Sequence, residues 1–257
     1  MAVGIIDAHC GAIGLGISRN TLALITGTSS CHMLVSENPI FVPGVWGPYF
    51  GAQLPNEWLS EGGQSATGAL LEHTIERFGL IKQDGKLSHV TDGKSINQVY
   101  SELNEHLKAH VKTLLCEAAG GVHVLPEHHG NRSPHADPDA KGTVDGLTLD
   151  MSYEFLSKIY LATVQAVAYG TRHIVESMES AGHKVSKIAV CGGGAKNEVW
   201  LQEHADALQR PLVLAEEPET VLLGAAVLAA VPCKYATVQD AIKEMCRSVV
   251  LEEPRHC

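Results

Sequence analysis

Apolar positions along the chain fall in short runs in its first part and recur at helical spacing later, which predicts strands early and strand–helix units late. Met1 to Ile6 reads as a strand running straight into Asp7. Two apolar runs, Leu22 to Thr26 and Cys31 to Val35, flank Gly27-Thr28-Ser29-Ser30 and predict a β-hairpin with small residues at its turn. A third strand is expected over Ile40 to Trp46. Ala66, Ala69, Leu70, Ile75 and Phe78 are spaced for a helix over Gly62 to Phe78, stopped by Gly79. Lys82 to Lys94 contains Asp84-Gly85 and Asp92-Gly93 and reads as a polar surface excursion, after which Ile96, Val99, Leu103, Leu107, Val111 and Leu115 predict a helix within Ser95 to Ala119.

Val122 to Leu125 predicts a short strand. Pro126 to Asp145 is dense in His, Pro, Gly and Asp, which deny it regular structure, so an extended loop is expected there. Ser152 to Ala181 reads as a long helix with Ser152 as its cap, Glu154 in the first turn and Gly182 at its end. Lys187 to Cys191 is a continuous apolar run, as a buried strand requires, and leads into Gly192-Gly193-Gly194. A helix over Asn197 to Leu208, a strand over Leu212 to Ala215, a helix over Glu219 to Ala230 and a last helix near Val238 to Arg247 complete the pattern. The order implies an α/β fold, a mixed sheet flanked by helices.

With 257 residues, 45% of them hydrophobic, the chain can bury a substantial core. Its 29 acidic against 19 basic residues give a formal net charge of -10, which excludes a broad electrostatic footprint for nucleic acid or an anionic membrane. No apolar run reaches the roughly 18 residues of a spanning helix, and no signal-peptide pattern opens the chain, so the cytoplasm is the expected location. Seven scattered cysteines without a CxxC pair argue for reduced thiols and against a zinc site.

The candidate chemistry follows the glycines. A buried strand entering Gly192-Gly193-Gly194 and then a helix exposes backbone to a ligand and offers it unpaired amides, an arrangement suited to a nucleotide; a tight turn without a ligand is the alternative. Gly27, Thr28 and Ser29 offer small hydroxyls and amides for phosphate oxygens, or form an ordinary turn. Asp7 at an expected strand end can accept a proton, or serve as a cap. Glu61 is expected at the mouth of a helix, where it can bind a polyol or simply favour the helix start. His123, His128, His129 and His135 lack metal-ligand spacing and read as solvated loop residues, so no metal site of the protein's own is expected.

Three segments occur in a telling order: GIIDAHCGAIG (Gly4 to Gly14), LITGTSSCHM (Leu24 to Met33) and CGGGAKNEVWLQ (Cys191 to Gln202). They resemble the catalytic-base segment, second phosphate motif and adenosine motif of the FGGY carbohydrate kinases, of the actin-like, RNase H-like ATPase superfamily. ETVLLGAAVLAA (Glu219 to Ala230) resembles the helix that follows, and EGGQSATG (Glu61 to Gly68) with GNRSPHADPDAKG (Gly130 to Gly142) resembles the ribulokinase branch, closest to the eukaryotic D-ribulokinase-like proteins. The resemblance implies Asp7 as catalytic base and sugar contact, Glu61 as a second sugar contact, Gly27, Thr28 and Ser29 at the outer phosphates, and Gly193, Gly194 and Asn197 at the adenosine. It implies ATP and Mg²⁺, a pentulose substrate, residues 1–20 as the remnant of an N-terminal domain with the base segment, and 21–257 as the ATP-binding domain. Two functions are then expected: phosphorylation of D-ribulose as the family-level activity, or an inactive nucleotide-binding or interaction fragment that associates, as a homodimer or with a partner, through the face a missing domain leaves.

Overall fold

Side chains alternate across the central strands, and a helical layer covers each face. The computed structural model describes residues 4–110, 117–252 and 254–255. In chain order the elements are α1 (Asp7–Gly14), β1 (Thr21–Thr26), β2 (Ser30–Ser36), β3 (Trp46–Phe50), β4 (Trp58–Gln64), α2 (Gly68–Phe78), β5 (Leu80–Gln83), β6 (Lys86–His89) and α3 (Ile96–His110). There follow β7 (His123–Leu125), β8 (Thr143–Asp145), α4 (Tyr153–Ser180), β9 (Lys187–Gly192), a 3-10 turn (Gly193–Lys196), α5 (Glu198–Leu208), β10 (Leu212–Ala215), α6 (Thr220–Lys234), α7 (Val238–Met245) and β11 (Ser248–Glu252).

The main sheet runs β11-β10-β9-β1-β2-β4-β3. β1, β9 and β10 are parallel, with Ala23 opposite Ala189 and Leu214 opposite Val190. β2, β4 and β3 add antiparallel strands on one side, and β11 does so on the other. Leu22, Leu24, Ile188 and Val190 share a core with Tyr160, Val164, Ile174 and Leu201 from α4 and α5. Their neighbours Ala23, Met33, Ala189 and Cys191 belong to a second core with Ala12 of α1 and Leu15 just after it. Each fully buried Leu, Ile or Val contributes about 1.5–3 kcal/mol, so the central strands are held from both faces.

On the second face α1 lies very close to α6. A Cβ on Gly14 would stand 1.9 Å from the Thr220 carbonyl oxygen, and one on Gly224 would stand 1.9 Å from that of Cys10. This contact corrects the expected N-terminal strand. Residues 4–6 have no regular structure, Ile6 is extended, and Asp7 opens a helix; Met1 to Val3 lie outside the described residues. The small residues of this segment matter as a surface for α6, a partner more than two hundred positions away.

Other expectations are corrected locally. The strand foreseen over Ile40 to Trp46 begins only at Trp46, because Pro43 lacks an amide and Gly44 takes φ +70°. The helix foreseen from Gly62 starts at Gly68, and Glu61 is a strand residue of β4. Gly62 and Gly63 let that strand be approached closely: a Cβ would meet Ile174 at 2.8 Å and the Ser30 carbonyl oxygen at 2.7 Å. The polar excursion is a hairpin whose turn residues, Asp84 (φ 50°) and Gly85 (φ 76°), both have positive φ, as a tight hairpin demands. The helix foreseen to Ala119 is described to His110; residues 111–116 lie outside the described residues and 117–119 are not α-helical. β8 and β11 are additional strands, while the hairpin β1–β2, the Ser152 cap of α4, β9, β10, α5 and α6 stand where expected, give or take helix ends.

Candidate active site

Thr26, the last residue of β1, ties the two glycine turns together. Its hydroxyl donates to the Cys191 carbonyl at 2.8 Å and accepts from the Gly194 amide at 2.9 Å. The crossing is tight: Gly192 has φ +93°, and a Cβ there would lie 1.9 Å from the Thr26 carbonyl oxygen. The other turn is anchored to α2, since the Gly27 carbonyl accepts from the Gly68 amide at 3.0 Å and the Thr28 carbonyl from the Thr67 amide at 2.9 Å. A Cβ on Gly193 would meet nothing within 4 Å, so its backbone is open to a ligand.

These turns border a cavity of about 540 Å³, lined by Gly27 and Thr28 on one side and Gly193, Gly194 and Asn197 on another, with Tyr100 of α3 opposite. The volume suits a nucleotide-sized ligand, since small-molecule sites run roughly 300–1,000 Å³. Ser29 is half-buried and does not line the cavity. Asn197 sits at the end of the 3-10 turn, which intervenes between the glycines and α5. Its side chain caps α5 by accepting from the Trp200 amide at 3.1 Å, accepts from Asn104 at 3.0 Å, and donates to the Tyr160 hydroxyl at 2.8 Å. The Tyr160 hydroxyl donates in turn to Asn104 at 3.0 Å, closing a triangle between α3, α4 and α5, and burial pushes that phenol well above its ordinary pKa.

The polyol side rests on α1 and β4. His9 Nε2 lies 3.0 Å from Glu61 Oε2, and Gln53 donates to the His9 carbonyl at 2.9 Å. Asp7, the first residue of α1, is exposed and accepts from the Ala8 amide at 2.7 Å; a helix start favours a carboxylate. Cys31 registers this cluster. Burial first, then the charge and hydrogen bond of Glu61 and the charge of Asp7, push its thiol up to about 11 against the opposing charge of Arg132. Such a thiol stays protonated and is a poor nucleophile.

The structure therefore brings Gly27, Thr28, Gly193, Gly194 and Asn197 to one cavity, and ties Glu61 through His9 to α1, the helix that Asp7 opens. His123, His128, His129 and His135 are all exposed; His128 faces His73 and His135 faces His173 in separate ring contacts. Among the described residues no group of three or more His, Cys, Asp or Glu is placed to hold a metal ion. Thr26, Trp200, Tyr160, Asn104 and His9 were not foreseen as site residues. Thr26 and Trp200 flank recognisable motifs, whereas Asn104 and Tyr160 carry no local signal beyond a helical period.

The profile of the FGGY family of carbohydrate kinases, C-terminal domain, matches residues 22–233. Over 272 residues the sequence is 43% identical to an FGGY carbohydrate kinase domain-containing protein of Xenopus laevis, a match covering 100% of this chain and 49% of that protein. It is 36% identical over 253 residues to a D-ribulokinase of Saccharomyces cerevisiae, covering 88% and 35% respectively. Among solved structures, a xylulose kinase from Rhodospirillum rubrum matches with a TM-score of 0.75 at 24% identity, covering 97% of this chain and 46% of that one. Plasmodium falciparum glycerol kinase with ADP matches with a TM-score of 0.73 at 19% identity, covering 98% and 46%. These two structures speak to fold alone. The chain spans about half or less of the length of the curated relatives it matches.

Proposed function

Because this chain belongs to the FGGY family of carbohydrate kinases and has their actin-like ATPase fold, we propose that it supplies the nucleotide seat and catalytic carboxylate of an ATP-dependent kinase for a pentulose, D-ribulose first. The observation that carries this reading is the cavity joining the Gly27-Thr28 turn to Gly193, Gly194 and Asn197. A nucleotide fits there because both turns present glycine backbone and Thr26 fixes their separation. The preference for D-ribulose draws on the yeast D-ribulokinase and on ribulokinase of Staphylococcus aureus, which is 32% identical over 252 residues.

In this reading Asp7 takes the proton of the sugar hydroxyl as its oxygen bonds to the γ-phosphorus. The bond from that phosphorus to the bridging oxygen breaks, and ADP leaves. Gly27 and Thr28 hold the outer phosphates, Gly193, Gly194 and Asn197 seat the adenosine, and Glu61, held by His9, binds the sugar. Mg²⁺ arriving with the nucleotide supplies charge neutralisation at the phosphates. Residues 1–20 then carry the catalytic-base segment and 21–257 form the ATP-binding domain, from which Glu61 reaches the sugar, in a cytoplasmic enzyme.

Nucleotide binding without turnover is a second reading, favoured by the exposure of Asp7. Phosphoryl transfer depends on positioning, to which orientation contributes up to roughly 7–11 kcal/mol, and an exposed carboxylate does not position an acceptor by itself. The test compares this 257-residue chain with a version joined to an N-terminal kinase half, measuring ADP binding by calorimetry and phosphorylation of D-ribulose, D-xylulose and ribitol. Binding by both with turnover only in the joined version supports a nucleotide half-site. Turnover by the chain alone supports a self-contained kinase, and failure of both to bind ADP ends the nucleotide reading.

A further inference from the structure

A second cavity, about 520 Å³, lies against the long loop between β7 and β8. Trp46 forms one wall; it is the register partner of Glu61 across β3 and β4 and is 48% exposed. The guanidinium carbon of Arg132 stands 5.4 Å from the centre of its ring. Lys141, His128, His129 and Ser65 also line the space, and none of its described lining residues is acidic.

That composition runs against the rest of the molecule, whose net charge is -10. Arg19, Arg172 and Arg210 are each paired with glutamate, whereas Arg132 has no carboxylate at ion-pair distance among the described residues. Of the acids in the same loop, Glu127 accepts from Asn131 at 2.7 Å, Asp137 accepts from the Asp139 amide at 2.9 Å, and the Asp139 side chain does not line the cavity. Arg132 lies within cation–π range of Trp46, and a guanidinium without a carboxylate partner can recognise a phosphate through two parallel hydrogen bonds. A long polyanion is repelled by the net charge, while a small dianion meets only the local bases. Trp46 and Ser65 add a surface and a hydroxyl suited to a carbon chain bearing hydroxyl groups.

We propose that this cavity is a subsite for a phosphorylated sugar, outside the cleft in which transfer takes place, with Arg132 and Lys141 holding the phosphate and Trp46 and Ser65 flanking the sugar. It deepens the kinase reading by giving the chemical class of the product a place of its own, and it rests on that reading only for the choice of sugar.

The test uses ¹⁵N-labelled chain, whose three tryptophans each give an indole signal, assigned by Trp→Phe substitution. Titration with D-ribulose 5-phosphate is expected to shift the Trp46 indole, with at least tenfold tighter binding than inorganic phosphate or D-ribulose. Lys141→Glu, at an exposed position, and Arg132→Met are each expected to weaken sugar-phosphate binding at least tenfold, with circular dichroism unchanged. A silent Trp46 signal, equal affinity for D-ribulose or inorganic phosphate, or unchanged binding by folded Lys141→Glu overturns the proposal. ADP is read separately through Trp200, which lines the other cavity, so failure of the nucleotide reading is seen independently.

Discussion

The two ends of the site are built on different principles. At the nucleotide end, polar side chains are held by other elements: Thr26 bridges two turns, and Asn197 is fixed by α3, α4 and α5 together. At the polyol end, Asp7 and Glu61 project from α1 and β4, His9 touches Glu61, and Asp7 faces solvent. A seat whose donors are already fixed binds without reorganisation, whereas a carboxylate on an open face must wait for reactants to be positioned against it. The contrast separates binding from turnover, and substitutions can test each end alone.

The largest effect is expected at the open end. Asp7→Asn in the joined kinase should lower turnover about 10²–10⁴-fold, the usual contribution of a general base, while ADP affinity stays within about twofold. Turnover unchanged in a coupled assay removes Asp7 from the base role. Next comes the tight crossing of the nucleotide end. Gly192→Ala places a Cβ 1.9 Å from the Thr26 carbonyl at a positive φ, and should cost about 2–4 kcal/mol in urea unfolding and weaken ADP binding with it. A wild-type midpoint would show that the turn is looser than the geometry states.

The layer beneath both ends should report pH. His32 and His204 are buried around Thr171, and burial lowers each to about 3. Their unfolded forms take up protons below about 6.5 while the native forms do not, so each loses about 2 kcal/mol of stability as pH falls from 7 to 5. Glu203 opposes them: burial raises it to about 7, so the native state holds a proton that the unfolded state has released, and acidification from pH 7 toward 4.5 relieves it. Unfolding at pH 7 and 5 should therefore show a smaller acid loss in His32→Gln and a larger one in Glu203→Gln; equal losses in both variants and wild type contradict this. The smallest effect belongs to Tyr160→Phe, which takes the Tyr160 partner from Asn104 Oδ1 and Asn197 Nδ2. It should cost about 1 kcal/mol and shift ADP affinity a few-fold. An unchanged value for both would show that the triangle of Asn104, Tyr160 and Asn197 does not support the seat.

Much of this was legible from residue order. Two short apolar runs flanking hydroxyls at a turn marked β1 and β2, and three glycines after a continuous apolar run marked the end of β9, because those patterns are local consequences of backbone sterics and burial. Ser152 before a long helical period marked the start of α4 for the same reason. Five of the six expected nucleotide residues line one cavity, since each motif carries its own backbone conformation.

What local pattern left open was decided at a distance. Met1 to Ile6 reads as a strand entering Asp7, yet Asp7 opens α1, because Gly14 and Gly224 allow two helices to meet more closely than side chains permit. Glu61 reads as a helix mouth, yet it lies on β4, where pairing with β2 and β3 sets it beside His9 and Trp46. Amino-acid order alone determined which segments could turn, cap and bury themselves; only the tertiary structure decided which of them touch, because a contact between residues tens to hundreds of positions apart leaves no period in the chain.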